Sequence, residues 1–168
     1  MITYLQGDAT RPQPSDSRII MHICNDRGGW GAGFVLALSK RWKDPEGQYR
    51  KWYREGKHQL FGDFALGNVG WCLVEPDIWV ANMIAQTGYG RSRKLQHRSD
   101  DDPESPPIRY DALLTCLAKV AASAKSKGST VHAPRIGTGL AMGDWRIIEP
   151  MIEEAFRNLE VYIYEYGC

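Results

Sequence analysis

The sequence predicts an α/β domain in which one mixed sheet of six or seven strands is covered by four helices on both faces. Short apolar runs alternate with segments of helical periodicity along the chain. The length of 168 residues suits one domain spanning residues 1–168, which can bury a sizeable core. No internal repeat and no linker-like stretch divides the chain.

The first part of the chain predicts two strands followed by two helices. "MITYLQG" alternates polar and apolar residues, and "RIIMHIC" is a short, nearly continuous apolar run typical of a buried strand. A first helix is expected from about Ala32 to Trp42. "DPEGQYRKWYREG" predicts a second helix that opens with Pro45 and ends near Gly56.

The middle of the chain predicts three strands and then a loop. "FGDFALGNV", "WCLVEP" and "IWVANMIAQ" are separated by Gly70 and by a turn at Pro76 and Asp77, and we expect them to form a meander. Residues 87–107 are polar and rich in glycine and proline breaks, so they are interpreted as a mobile loop.

The last part predicts a long helix, a strand, a helix and a closing strand. Apolar residues recur at helical spacing from Tyr110 to the break at Gly128. "TVHAPRI" is expected to be a strand. The final helix carries Trp145, Ile148 and Ile152 on one face, and "EVYIYEY" alternates strictly, as a strand does.

Composition excludes several classes of protein. With 21 basic and 20 acidic residues the formal charge is +1, so no overall field favours nucleic acid or a membrane. The four cysteines are far apart and form no CxxC, so we expect free thiols in a reducing cytoplasm. No apolar run reaches about 18 residues and no signal peptide is recognisable. We expect a soluble, monomeric, cytoplasmic protein.

Two glycine-rich segments follow predicted buried strands and precede helices. The segment Gly28 to Gly33 contains four glycines and no Lys or Arg, and a second segment runs from Gly137 to Asp144. Such loops place backbone N–H groups and a helix N-terminus beside one space, which favours phosphate binding. Either loop alone could simply make a tight turn. The spacing matches neither a P-loop nor a dinucleotide-binding GxGxxG fingerprint.

Three segments resemble the macrodomains, which are ADP-ribose-binding modules. "YLQGDAT", "HICNDRGGWGAGFVLAL" and "HAPRIGTGLAMGDW" occur in the family's order and spacing over nearly the whole chain. The chain is most similar to the branch containing terminal ADP-ribose protein glycohydrolase, its bacterial relatives that release ADP-ribose from glutamate, and the fungal ADP-ribose 1''-phosphate phosphatase. The resemblance implies a three-layer α/β/α sandwich with ADP-ribose at the carboxyl ends of the strands.

The resemblance also implies which residues bind the ligand. Asp8 would accept a hydrogen bond from the adenine amino group beside the Ala9 backbone, although Asp8 could instead cap a turn. Asn25 would lie at the distal ribose. Trp30 either walls the ligand cleft or belongs to the core. The first diphosphate loop would consist of Gly31, Ala32, Gly33, Phe34 and Val35, and the second of Gly137, Thr138, Gly139 and Leu140. Gly28, Gly29 and Trp30 are expected to bind the ligand as well.

Catalytic residues of the family are missing from two positions. The terminal glycohydrolase has a nucleophilic lysine and an aspartate at two positions where this chain, aligned by the resemblance, has Gln86 and Ala141. Asp26 is expected to be an exposed loop residue or an acid–base group, and Asp144 is interpreted as a helix N-cap. The histidines show no metal-ligand spacing, and His22 is interpreted as a core residue. We expect neither a metal nor a cofactor.

These observations leave three functions open. The first is hydrolysis of ADP-ribose from glutamate side chains of proteins. A carboxylate leaving group needs no protonation, so Asn25 and Gln86 could hold the distal ribose while an oriented water attacks with help from a ligand phosphate. The second is a reader that binds ADP-ribose without turnover, and the third is an ADP-ribose 1''-phosphate phosphatase. The expected partners are ADP-ribose and ADP-ribosylated proteins; modified nucleic acid is left open, and no membrane is involved.

Overall fold

A computed structural model describes residues 1–88 and 106–166 of the chain. Six strands form the main sheet, in the order β1, β8, β7, β2, β6, β5, and two short strands form a separate hairpin. The strands are β1 (Ile2–Gln6), β2 (Arg18–Asn25), β3 (Lys57–His58), β4 (Gly62–Asp63), β5 (Val69–Glu75), β6 (Ile78–Gln86), β7 (Thr130–Pro134) and β8 (Val161–Glu165). Only β5 runs antiparallel to its neighbour, so the sheet is mixed, as predicted.

Four helices cover the sheet on both faces. They are α1 (Phe34–Arg41), α2 (Asp44–Glu55), α3 (Tyr110–Lys127) and α4 (Trp145–Ala155). Alternate residues of β2 enter different cores: Ile19 and Met21 belong to the cluster under α3 and α4, whereas Ile20 belongs to the cluster under α1 and α2. This period of two gives three layers, which confirms the predicted α/β/α sandwich.

Helix limits follow local backbone chemistry. The helices α2 and α3 end at Gly56 and Gly128, which adopt left-handed φ values of 76° and 64°. Both ends were predicted. The first helix begins at Phe34 rather than Ala32 because Gly33 has φ 83° and ψ −147°, which is not helical.

The prediction of a strand over "FGDFALGNV" was wrong. In that stretch Gly62–Asp63 pairs with Lys57–His58, and Val69 at its end begins β5, so the predicted meander is reduced to the antiparallel pair of β5 and β6. Gly62 and Gly67 take left-handed φ values of 78° and 92°, which interrupt an extended chain. Phe64 packs edge-on against Trp52 of α2 rather than into the sheet.

Two predictions from composition can be checked on the described residues. Cys24, Cys72 and Cys116 are buried free thiols, and burial raises the pKa of each. Within 1–88 and 106–166, every helix is too short or too polar to cross a membrane. The interpretation of residues 87–107 as a mobile loop falls mostly on 89–105, outside the described residues.

The parallel strands β1, β8, β7, β2 and β6 all end at one edge of the sheet. Near that edge the pairing of β2 with β6 shifts register: Cys24 lies opposite Ile84, and Asn25 lies opposite Gln86. The additional residue, Ala85, makes a bulge, a feature that changes the direction of nearby side chains and is common next to active sites. It brings the last residues of the two strands side by side.

The loop that follows β2 is held in shape by the carboxamide of Asn25. Its Oδ1 accepts hydrogen bonds from the backbone N–H groups of Arg27 and Gly29, at 2.8 and 3.1 Å, and its Nδ2 donates to the Gly29 oxygen at 2.8 Å. The buried hydroxyl of Tyr49 donates to the Asn25 main-chain oxygen at 2.6 Å and lies 3.1 Å from Oδ1. Helix α2 therefore supports the loop.

We expect Tyr49→Phe to lower the free energy of unfolding by about 1–2 kcal/mol, because it leaves a buried carbonyl without its donor. Urea unfolding followed by circular dichroism measures the change. The control is Tyr53→Phe on the same helix: its side chain is 45% exposed and its hydroxyl has no hydrogen bond within 1–88 and 106–166. An equal loss in both variants would contradict this account of the loop.

Candidate functional site

A cleft of about 1350 Å³ opens at the carboxyl edge of the sheet. Both glycine segments line it, one after β2 and the other after β7. It brings together most of the residues that the sequence predicted: Asn25, Gly28, Gly29, Trp30, Gly31, Ala32, Gly33, Phe34, Val35, Gln86, Gly137, Thr138, Gly139 and Leu140. Clefts at this edge of parallel sheets are common ligand sites.

Some glycines in the cleft are required by packing within the protein. A Cβ on Gly28 would lie 2.3 Å from the ring of Tyr53. A Cβ on Gly137 would lie 2.7 Å from the Ile108 side chain and 2.9 Å from that of Ile148. Both glycines also have positive φ, 75° and 78°. Tight packing and turn geometry therefore account for these two.

Gly31 and Gly139 have neither constraint. A Cβ at either position would meet no heavy atom within 4 Å, and neither residue has a positive φ. Both are exposed and both line the cleft. Because nothing in residues 1–88 and 106–166 requires a glycine at either position, the missing side chains leave room for something that enters the cleft.

The two segments also present unused hydrogen-bond donors. The N-terminus of α1 has no side-chain cap, and no acceptor within 1–88 and 106–166 takes the backbone N–H of Phe34 or Val35. The same holds for the N–H groups of Gly139 and Leu140 in the second segment. Exposed N–H donors at a helix N-terminus favour an anion.

Strand order fixes the direction of the cleft. Neighbouring strands lie about 4.8 Å apart, so the three spacings from β8 through β7 and β2 to β6 cover roughly 14 Å. The two glycine segments follow the middle strands, β7 and β2. An anion bound by both segments would lie at the centre, with one arm of the cleft toward β8 and the other toward β6.

The β8 arm contains a tyrosine that the sequence analysis missed. Tyr166 follows β8, is 71% exposed and lines the cleft. The charge of Asp8 raises the pKa of the Tyr166 hydroxyl above its ordinary value. Asp8 and Ala9 themselves do not line the cleft among the described residues. The Asp8 Oδ1 caps a turn by accepting from the N–H and hydroxyl of Thr10, both at 2.8 Å.

The β6 arm contains the two predicted amide side chains. Asn25 and Gln86 are 8% and 7% exposed and pair across the end of the sheet. The Gln86 Nε2 donates to the Gly88 oxygen at 2.9 Å. Asp26 is half-buried, and its Oδ1 accepts the Gly88 N–H at 2.9 Å. The carboxylate of Asp26 thus joins the loop after β2 to the end of β6.

Two other predicted residues are explained by packing. Trp30 borders the cleft but is 4% exposed; its indole packs edge-on to His22 and its Nε1 donates to the Ser39 hydroxyl at 2.8 Å. His22 is buried against Asn82, and burial lowers its pKa to about 4, so the ring is neutral at pH 7. His22 is a core residue, as predicted.

In the part of the chain that the structure describes, the titratable groups near the second segment offer no acid–base pair. Asp144 is the N-cap of α4, as predicted, with Oδ1 accepting the Arg146 N–H at 2.9 Å. Ala141 is buried. Within 1–88 and 106–166, no group of three or more His, Cys, Asp or Glu side chains could hold a metal ion.

Sequence reasoning also missed the charged side chains of the cleft. They are Arg27, Arg50, Arg54, Arg135 and Glu165. Arg50 and Arg54 are one turn apart on α2, and solvated helix faces commonly show this spacing. Their position in the cleft depends on the packing of α2 beside the first glycine segment, which the sequence pattern does not indicate. Arg135 forms an ion pair with Glu165 at the β8 arm.

Comparison with known proteins gives close relatives along the whole chain. The Saccharomyces cerevisiae ADP-ribose 1''-phosphate phosphatase is 40% identical over 189 aligned residues, covering 98% of each chain. The zebrafish Danio rerio chromodomain-helicase-DNA-binding protein 1-like is 32% identical over 169 residues, but this chain spans only 16% of its length, and 18% of the mouse counterpart. No protein-family model matches the chain.

Solved structures agree on the fold. A protein of unknown function from Bacteroides thetaiotaomicron is 45% identical, with a TM-score of 0.86 and coverage of 98% of this chain and 97% of that one. A macrodomain protein from Streptomyces coelicolor is 41% identical, with a TM-score of 0.78 and coverage of 99% and 100%. At this identity and coverage, the chain is a member of the macrodomain family.

Proposed function

We propose that the cleft binds ADP-ribose, with its diphosphate between the two glycine segments. The observation that carries the proposal is the pair Gly31 and Gly139, whose missing side chains nothing in the protein requires. Backbone N–H groups can approach phosphate oxygens to about 3 Å only where side chains are absent. The name of the yeast relative, a phosphatase of ADP-ribose 1''-phosphate, supports the same ligand.

The direction of the ligand follows from chemistry at the two arms. Adenine suits the β8 arm, where the exposed ring of Tyr166 offers an aromatic face on which a base can stack. The distal ribose then lies in the β6 arm beside Asn25 and Gln86. Its C1'' atom, where any further group is attached, faces the end of the cleft near α2.

The reaction we propose is hydrolysis at C1'', with ADP-ribosylated glutamate of proteins as the substrate. The leaving carboxylate needs no general acid, which fits a site without an acid–base pair. Gln86 orients the distal ribose directly. Asn25 is a positioning residue whose hydrogen bonds fix the loop that carries the amides. A water held between C1'' and a ligand phosphate oxygen is the nucleophile.

A second candidate is phosphatase activity on ADP-ribose 1''-phosphate. The observation that favours it is the 40% identity to the yeast enzyme over nearly the full length of both chains. Both candidates use the same cleft and react at the oxygen attached to C1''. Hydrolysis of the glutamate ester at C1'' breaks the C1''–O bond, whereas a phosphatase breaks the bond between that oxygen and phosphorus. A reader without turnover is the outcome if ADP-ribose binds and neither substrate is consumed.

We expect Gly31→Ala and Gly139→Ala each to weaken ADP-ribose binding by about tenfold or more, because a methyl group fills the space of the phosphate oxygens. Isothermal titration calorimetry measures the affinity. The free energy of unfolding should not fall, since the methyl group meets nothing within the protein.

The matched control for these variants is Gly47→Ala in α2, where a Cβ also meets nothing within 4 Å and which does not line the cleft. It should bind ADP-ribose as the unaltered protein does and gain stability by about 0.5–1 kcal/mol. Full affinity in both Gly31→Ala and Gly139→Ala would refute the position of the diphosphate.

Turnover is tested with a protein mono-ADP-ribosylated on glutamate, following free ADP-ribose by chromatography. We expect release by the unaltered protein and a loss of about tenfold to a hundredfold in rate for Gln86→Ala, because the distal ribose is no longer oriented. Gln59→Ala, an exposed glutamine outside the cleft, is the control. Undiminished release by Gln86→Ala with binding intact would exclude this mechanism.

A further inference from the structure

We infer that Arg27, Arg50 and Arg54 form an anion site at the β6 arm of the cleft, and that this site binds a phosphate group attached to C1'' of ADP-ribose. The inference rests on the proposed function, because it uses the direction in which ADP-ribose lies. It adds a subsite beyond the glycine segments. Of the two candidate substrates, this subsite favours ADP-ribose 1''-phosphate over the glutamate ester.

The three arginines share one place in the fold. Arg27 lies in the loop after β2, two residues beyond Asn25. Arg50 and Arg54 follow each other by one helical turn on α2, and the Arg50 Nη1 donates to the Gly28 oxygen at 3.0 Å. Among the strands of the main sheet, helix α2 packs chiefly against β5 and β6, so this cluster lies at the β6 arm.

Carboxylates of residues 1–88 and 106–166 neutralise their positive charge only in part. Arg50 is held by Glu46, with Nε 2.8 Å from Oε2. Arg27 is 40% exposed and its Nε lies 3.6 Å from Asp26 Oδ1, an oxygen that also accepts the Gly88 N–H. No carboxylate within 1–88 and 106–166 lies within 4 Å of the Arg54 guanidinium.

The opposite arm differs in charge. Arg135 is the only arginine lining the β8 arm in the described part of the chain; it pairs with Glu165 and stacks over the rings of Tyr4 and Trp145. The segments between the arms contain no Lys or Arg, so the diphosphate is left to backbone amides. Arginines without full neutralisation are therefore concentrated where the ligand carries its C1'' substituent.

A phosphate group suits these side chains better than a glutamate ester does. A guanidinium binds two phosphate oxygens at once through a planar pair of N–H donors, and the bond is strengthened by charge. A phosphate monoester carries close to two negative charges at neutral pH, whereas the ester oxygen of ADP-ribosylated glutamate is neutral. The arginines thus favour ligands with phosphate at C1''.

The test compares two ligands and two sets of variants by calorimetry. The ligands are ADP-ribose and its 1''-phosphonate analogue, in which a methylene group replaces the bridging oxygen so that nothing is hydrolysed. The unaltered protein should bind the phosphonate about tenfold or more tightly than ADP-ribose. The double variant Arg27→Gln, Arg54→Gln should lose most of that preference while binding ADP-ribose within about twofold of the unaltered protein.

Arg157→Gln is the matched control, since Arg157 is exposed, pairs with Glu154 and does not line the cleft. It should keep the full preference for the phosphonate. An ADP-ribose joined through C1'' to the phosphate of a dinucleotide separates the sources of the group: tighter binding of this diester points to a nucleic-acid end, and tighter binding of the monoester points to the free 1''-phosphate.

The outcomes distinguish this inference from the proposed function. If ADP-ribose binds but the phosphonate gains nothing, or if the double variant keeps the gain, the anion site is refuted and the proposed function stands. If ADP-ribose does not bind the unaltered protein at all, the proposed function is refuted, and the inference falls with it.

Discussion

The alignment of parallel strand ends at one edge is the constraint on which the rest of this molecule depends. Five strands finish at that edge, and residues at the ends of four of them, β8, β7, β2 and β6, meet in one cleft although some are separated by more than a hundred residues in sequence. The order of the strands across the sheet therefore sets the order in which their terminal residues follow one another along the cleft. A ligand that is itself a linear series of chemically different groups can then be matched group by group.

The glycines show how one residue type serves two physical purposes in the same loop. Gly28 allows the ring of Tyr53 to pack onto the backbone, and Gly137 allows two isoleucines to approach, so both belong to the interior of the protein. Gly31 and Gly139 instead border the cleft and leave its space open, because neither has a side chain. A side chain at the first kind of glycine would collide with packed residues, whereas a side chain at the second kind would extend into the cleft.

The sequence was sufficient for the alternation of strands and helices, for the ends of α2 and α3 at Gly56 and Gly128, and for the two glycine segments, because these depend on local periodicity and backbone freedom. It could not predict the bulge at Asn25 or the approach of Arg54 to the cleft, since both depend on how distant elements pack. "FGDFALGNV" was misread because its aromatic residues pack on α2, a tertiary contact that imitates a strand pattern in sequence.

The Thr87 N–H donates to the Pro107 oxygen at 2.8 Å, and Gln86 forms an isolated bridge with Ile108. The chain therefore leaves the sheet after Gln86 and returns beside it at Ile108. These contacts of residues 86–87 with residues 107–108 form a clasp. Because the cost of closing a loop rises only by about 0.6 kcal/mol for each doubling of its length, a longer connection between the two sides of the clasp would cost the fold little stability. The clasp lies beside Gln86 at the β6 end of the cleft, so the length of this connection and the stability of the sheet can vary independently.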